Sequence, residues 1–187
     1  MPSYFILVPI LLPVIAGILL LVFPIEDARK RNICIEIIVV INTLLVLWLL
    51  THRPSESFYM FSLGARLPLT LNVDGLAMFF AGLVACLWPL ASLYAFEYMK
   101  HEGKEKRYFG FAVMTVGVLT GLSMAGNLMT MYMFYEFMTL ITVPLVIHSQ
   151  GRDALKAGLK YLGYSVFGAG LTLIGFFFLN SYGTGTM

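Results

Sequence analysis

Glu136 lies in an apolar run, Leu128 to Ile147, that holds no other charged residue and is long enough to cross a bilayer. At about 1.5 Å per residue it sits roughly 12 Å from Leu128 and roughly 18 Å from His148, so it is deep from either side. A carboxylate there costs about 3 kcal/mol against an apolar residue, and chains that keep one generally use it to handle protons or ions. Tyr132 and Thr139 fall four residues before and three after it, on the same helical face, where they can hydrogen-bond a carboxyl or order a water beside it. Farther along, Lys156, Lys160 and Tyr164 recur every four residues as one polar stripe. Lys156 can snorkel to the surface, whereas Lys160, a turn deeper, is the candidate for a buried ammonium. Burial disfavours both charged forms and close approach favours both, so an ammonium moving toward Glu136 would expel its proton and its withdrawal would let the carboxyl reload. Glu136 and Lys160 are thus the candidate proton-transfer pair, with Tyr132, Thr139, Tyr164 and His148 as supporting polar groups. His148, at the inner end of the same run, reads as an interfacial cap that can also pass protons. A rival reading makes Glu136 a static partner that fixes helix packing and Lys160 an interfacial anchor.

These residues need a membrane to act in, and the composition supplies it. Of 187 residues 59% are apolar and only 12% charged, with a mean hydropathy of +0.86, far from the balance of a soluble domain. Six apolar runs, at about 4–23, 33–50, 75–98, 108–125, 128–148 and 155–182, predict a single all-α membrane domain over 1–187. The first is not read as a cleavable leader, because no Lys or Arg precedes it and Arg29, Lys30 and Arg31 follow it. Loops on one side collect ten Lys and Arg against two on the other, Arg53 and Arg66, which predicts both termini facing outward. Loop 51–74 holds short alternating pieces, Phe58 to Leu63 and Leu67 to Val73, and is expected to form an outer hairpin that ends at Asp74 as a helix cap. Gly117, Gly121 and Ala125, four apart, predict one face for close helix packing. Glu36 is expected to pair with Arg29 or Arg31, and Glu97 lies beside Lys100.

Several chemistries are not supported. Cys34 and Cys86 lie in apolar runs without metal-ligand spacing and read as packing residues. His52, His101 and His148 are scattered, without a metal or axial-ligand pattern, and Gly168, Ala169, Gly170 lacks the third glycine of a dinucleotide fingerprint. No cofactor, metal site or redox chemistry is therefore assigned to this chain. Basic residues between the spans suggest no nucleic-acid face. A membrane enzyme acting on lipid would need a cluster of polar catalytic groups at an interface, which the sequence does not provide.

The segments DGLAMFF (Asp74 to Phe80), LYAFEYM (Leu93 to Met99), RYFGF (Arg107 to Phe111), AGNLMTMYMFYEFMTL (Ala125 to Leu140) and LKYLGYS (Leu159 to Ser165) resemble the antiporter-like membrane subunits of respiratory complex I. Large subunits of Mrp sodium/proton antiporters and of membrane-bound hydrogenases share that family. The resemblance spans most of residues 60–187 and implies that Glu136 matches the fifth-helix glutamate of proton transfer, and Lys160, more loosely, a lysine of the sixth helix. It further implies two inverted repeats among about fourteen helices. This sequence ends after the sixth helix, within the first repeat, without the broken seventh helix and its lysine or the second repeat. Three arrangements stay open: the other helices come from another polypeptide, the chain belongs to a longer one, or it is a packing subunit with an incomplete path. The expected function is a partial proton-translocating subunit of a complex I-like or Mrp-type assembly, coupling proton transfer to redox chemistry or sodium counter-transport. Its alternative is a structural membrane subunit whose buried charges fix packing and assembly. Expected partners are other membrane subunits supplying further helices, the lipid bilayer, protons and sodium, in a prokaryotic cytoplasmic membrane.

Overall fold

The computed structural model describes residues 2–23, 25–54, 56–62 and 67–182, with side chains through residue 179. After a short 3-10 turn at Ser3–Leu7 come α1 (Val8–Val22) and α2 (Ala28–Thr51), then strands β1 (Phe58–Ser62) and β2 (Pro68–Leu71). Four further helices follow, α3 (Gly75–Glu102), α4 (Glu105–Ser123), α5 (Leu128–Val146) and α6 (Arg152–Tyr182). The spans Ser3–Val22, Ala28–Thr51, Gly75–Glu102, Leu128–Val146 and Arg152–Leu179 are long and apolar enough to cross a membrane. Several helices outrun their apolar runs. α2 begins at Ala28, where Asp27 caps it by accepting from the Arg29 and Lys30 backbone N–H groups, and α3 continues to Glu102. Hydropathy ends where the hydrocarbon ends, but backbone hydrogen bonding continues into the headgroup zone, where charged side chains can be solvated.

α4 packs against α1, α3 and α5 and buries most of its length. Its buried hydroxyls are satisfied within the helix, Thr115 donating to the Phe111 carbonyl and Thr120 to that of Val116. Small residues let its neighbours close in, but not as one stripe. Gly117 faces the backbone of α1 at Ile10, whereas Gly121 faces the Phe134 ring of α5, and Ala125 lies beyond the helix, bridged to Leu71. The predicted single packing face is therefore split between two neighbours, because residues four apart near a crowded helix can contact different partners. α6 packs chiefly on α5 and leaves most of its surface open.

The two ends of the bundle differ in chemistry. At one end β1 and β2 pair antiparallel, with Leu69 and Leu71 turned fully inward. This hairpin is bonded to the α4–α5 turn: the Thr70 N–H donates to Thr130 Oγ1 (2.9 Å), the Gly126 N–H to the Thr70 carbonyl (2.8 Å), and the Asn127 amide to the Pro68 carbonyl (2.7 Å). Asn127 also caps α5 through the Thr130 N–H (2.8 Å). Because one side chain serves cap and hairpin together, Asn127→Ala should cost about 2 kcal/mol, against about 1 kcal/mol or less for Asp27→Ala at the exposed cap of α2. Thermal unfolding of the two variants compares them directly, and equal losses would show that Asn127 acts only as a cap.

At the other end Arg31 pairs with Glu105, tying α2 to α4, and its guanidinium lies 5.7 Å from the Phe109 ring centroid. Glu36 does not meet Arg29 or Arg31. It accepts a hydrogen bond from the Ser92 hydroxyl of α3 (2.5 Å), while Arg31 turns to α4. Sequence proximity favoured a pair within α2, but the tertiary partner offers a partly buried carboxylate, to which a guanidinium can donate. Glu97 pairs with Lys100 (2.5 Å), and Asp74 caps α3 by accepting from the Ala77 N–H (2.8 Å).

Candidate functional site

Glu136 is half-buried on α5, and its Oε1 is buried with no hydrogen-bond partner among the described residues. Tyr132 lies one turn toward the hairpin end, beside the carboxyl. Thr139 is buried but bonds back to the Tyr135 carbonyl of its own helix (3.2 Å), so it supports the helix rather than the carboxyl. Of the two supporting groups predicted on α5, Tyr132 lies beside Glu136 and Thr139 is turned to its own helix.

Toward the hairpin end a cavity of about 640 Å³ opens between α3, α4, α5 and α6. Its apolar wall carries polar groups at Asp74, Ser123, Tyr132, Tyr135 and Thr172. Tyr132 and Tyr135, four residues and one residue before Glu136, both line it. Tyr135 falls within the fifth-helix segment that carries the family resemblance, whereas Ser123 and Thr172 carry no signal in the sequence. Ser123 and Thr172 each donate to a carbonyl of their own helix, and only tertiary packing turns them toward a common space.

Toward the basic end the polar groups thin out. The Thr142 hydroxyl lies 2.9 Å from the Tyr161 hydroxyl of α6, the one polar contact joining these helices among the described hydrogen bonds. With Ile147 set against Gly158, it fixes an antiparallel register in which the level of Glu136 falls near Phe167. Lys160 then lies about 10 Å nearer the basic end. Lys160 and Tyr164 point away from α5; Tyr164 is 78% exposed, and no ion pair to Lys160 or Glu136 occurs among the described residues. The structure thus places the two candidate proton-transfer residues on adjoining helices without bringing them into contact. His148 closes the inner end, its Nε2 3.0 Å from the Gly103 carbonyl and its ring edge-on to Tyr108, while Nδ1 is buried without a partner among the described residues.

Two family models match the chain: "NADH-Ubiquinone oxidoreductase (complex I), chain 5 N-terminus" over residues 60–109, and "NADH:quinone oxidoreductase/Mrp antiporter, TM" over residues 125–187. The second contains all of α5 and α6, and so the whole Glu136 neighbourhood on those helices. Among curated relatives, a Na(+)/H(+) antiporter subunit of Bacillus subtilis (strain 168) is 26% identical over 98% of this chain and 37% of its own length. The hydrogenase-4 component B of Escherichia coli (strain K12) is 30% identical over 110 residues, 58% of this chain and 16% of that protein. A chain in the structure of the membrane-bound sulfane sulfur reductase, an archaeal respiratory membrane complex, superposes with a TM-score of 0.78 at 18% identity, over 97% of this chain and 38% of its own. The chain therefore spans little more than a third of these relatives at most. Matching models at both ends of the α3–α6 region, relatives along nearly the whole length and a shared fold agree: the chain belongs to the antiporter-like membrane subunits common to complex I, Mrp antiporters and hydrogenase-type complexes.

Proposed function

We propose that this chain carries part of a proton path in a complex I-like or Mrp-type assembly of a prokaryotic cytoplasmic membrane, where proton transfer is coupled to redox chemistry or to sodium counter-transport. Other membrane subunits or helices complete the path. The observation that carries this reading is the Glu136 carboxyl, held mid-membrane with one oxygen unpaired among the described residues, next in sequence to a tyrosine that lines a polar-walled cavity. A structural carboxylate should have found its partner, since an unpaired buried acceptor costs about 1–3 kcal/mol. Proton flux in the whole assembly with Glu136→Gln tests the proposal.

Lys160 acts in this scheme at a distance. The axial offset of about 10 Å, added to the lateral spacing of the two helices, keeps the Lys160 ammonium out of direct contact with the Glu136 carboxyl. The open side of α6 that carries Lys160 and Tyr164 is where a further helix would pack. Between the two levels stands the Thr142–Tyr161 contact, which offers hydroxyls for a proton on its way from the His148 end. Tyr161→Phe should therefore slow flux severalfold, while stability changes by about 0.6 kcal/mol, the usual worth of such a contact in a bilayer. Unchanged flux beside that small loss of stability would make the pair a packing contact only.

A further inference from the structure

We propose that the basic end of the bundle holds a specific site for an anionic phospholipid of the inner leaflet, its phosphodiester among Arg31, Lys104, Lys106 and Arg107 and an acyl chain in the apolar crevice one turn deeper. The proposal does not depend on the proton path. A pocket of about 350 Å³ is lined by these four basic residues and Glu105. Two of the cations are offset, Arg31 by Glu105 and Lys106 by Glu26 (2.5 Å). Among the described residues Lys104 contacts the neutral Gln150 amide oxygen (2.5 Å) and Arg107 the Pro144 carbonyl (3.1 Å), and neither meets a carboxylate.

Donors without acceptors point the same way. Arg31 is 5% exposed, yet its Nε has no partner among the described residues, and neither does the buried Nη1 of Arg107. Buried guanidinium N–H groups are expensive to leave unmade, and phosphate oxygens match their fork geometry. The pocket also lies where α4 begins, so the positive end of that helix adds to the field on an anion.

What selects a lipid over a free phosphate lies directly beneath. A crevice of about 160 Å³ between α2, α3 and α4 is walled by Ile35, Val39, Trp88, Phe109, Ala112 and Val113 among others. Ile35 is one turn from Arg31 on α2, and Phe109, under the Arg31 guanidinium, is two residues from Arg107 on α4. Headgroup pocket and apolar crevice thus share the same two helices, in the order that a phospholipid presents its parts. The ten-to-two bias of basic residues puts this end on the cytoplasmic side, where a basic pocket between helices recognises anionic headgroups.

The test uses the full chain in its membrane assembly, purified and stripped of lipid, then offered phosphatidylglycerol, phosphatidylcholine or inorganic phosphate and read by native mass spectrometry. Wild-type protein should retain phosphatidylglycerol over phosphatidylcholine by about tenfold or more, and millimolar inorganic phosphate should not displace it. Lys104→Gln with Arg107→Gln should lower retention roughly twenty-five-fold, at about fivefold for each charge. Should the double variant not assemble, Lys104→Gln alone alters an exposed side chain and should still show its fivefold share, roughly. Ala112→Phe, which fills the crevice, should lower phosphatidylglycerol retention without creating phosphate binding. Equal retention of both lipids by wild type, displacement by inorganic phosphate, or undiminished retention in the charge variants would each overturn the proposal.

Discussion

Glu136→Gln should reduce proton flux through the assembled complex by about a hundredfold or more, the lower range of what removing a positioned proton-transfer group costs. Gln keeps the shape of Glu and its place beside Tyr132, but its amide neither binds nor releases a proton near neutral pH. It also removes a charge that is costly to hold in the bilayer, so the amount of inserted protein should stay the same or rise. Glu136→Asp keeps an ionisable group but withdraws it by one methylene from Tyr132, and should leave a measurable fraction of the flux. These three observations together separate transport from architecture. If Glu136 only fixed packing, Gln would lower assembly and leave flux per assembled complex intact; a fully assembled Gln variant that transports like wild type removes the carboxyl from the path.

Much of the scaffold around that carboxyl was legible because a bilayer imposes a length on apolar runs, and six such runs can be counted without knowing how they pack. Glu136 stood out for the same reason, as the one charge in its run. What could not be read was rotation and register. In lipid both faces of a helix are apolar, so periodicity does not say whether Lys160 or its neighbour Tyr161 meets α5; the structure selects Tyr161, and the Lys160–Tyr164 stripe turns outward. The same ignorance sent Glu36 to an arginine on its own helix, when its partner is Ser92 of α3, 56 positions away in sequence. The cavity beside Tyr132 was invisible for a related reason, since Ser123 and Thr172 become neighbours only once four helices have packed.

Gly117→Ala should destabilise the bundle by about 3 kcal/mol or more, beyond the usual cost of overpacking, because the new atom would meet backbone rather than side chain. A Cβ at Gly117 would stand 2.3 Å from the Ile10 carbonyl oxygen of α1, and one at Gly17 would stand 2.5 Å from the Gly110 carbonyl oxygen of α4. The two helices therefore touch through glycine from both sides. In a bilayer no hydrophobic force drives them together, so this close packing is itself what holds α1 to α4. Trimming a neighbour cannot relieve the clash: Val14→Ala, which removes the next-nearest contact, should leave Gly117→Ala unrescued. Gly121→Ala provides the contrast. Its Cβ would first meet the Phe134 ring, nearest atom 2.2 Å, and Phe134→Leu should restore much of the lost stability. Gly75→Ala, in open space at the start of α3, controls for the change in backbone freedom. Thermal unfolding of the purified variants reads all of these, and rescue of Gly117→Ala by Val14→Ala would show that side chains, not backbone approach, set the distance between α1 and α4.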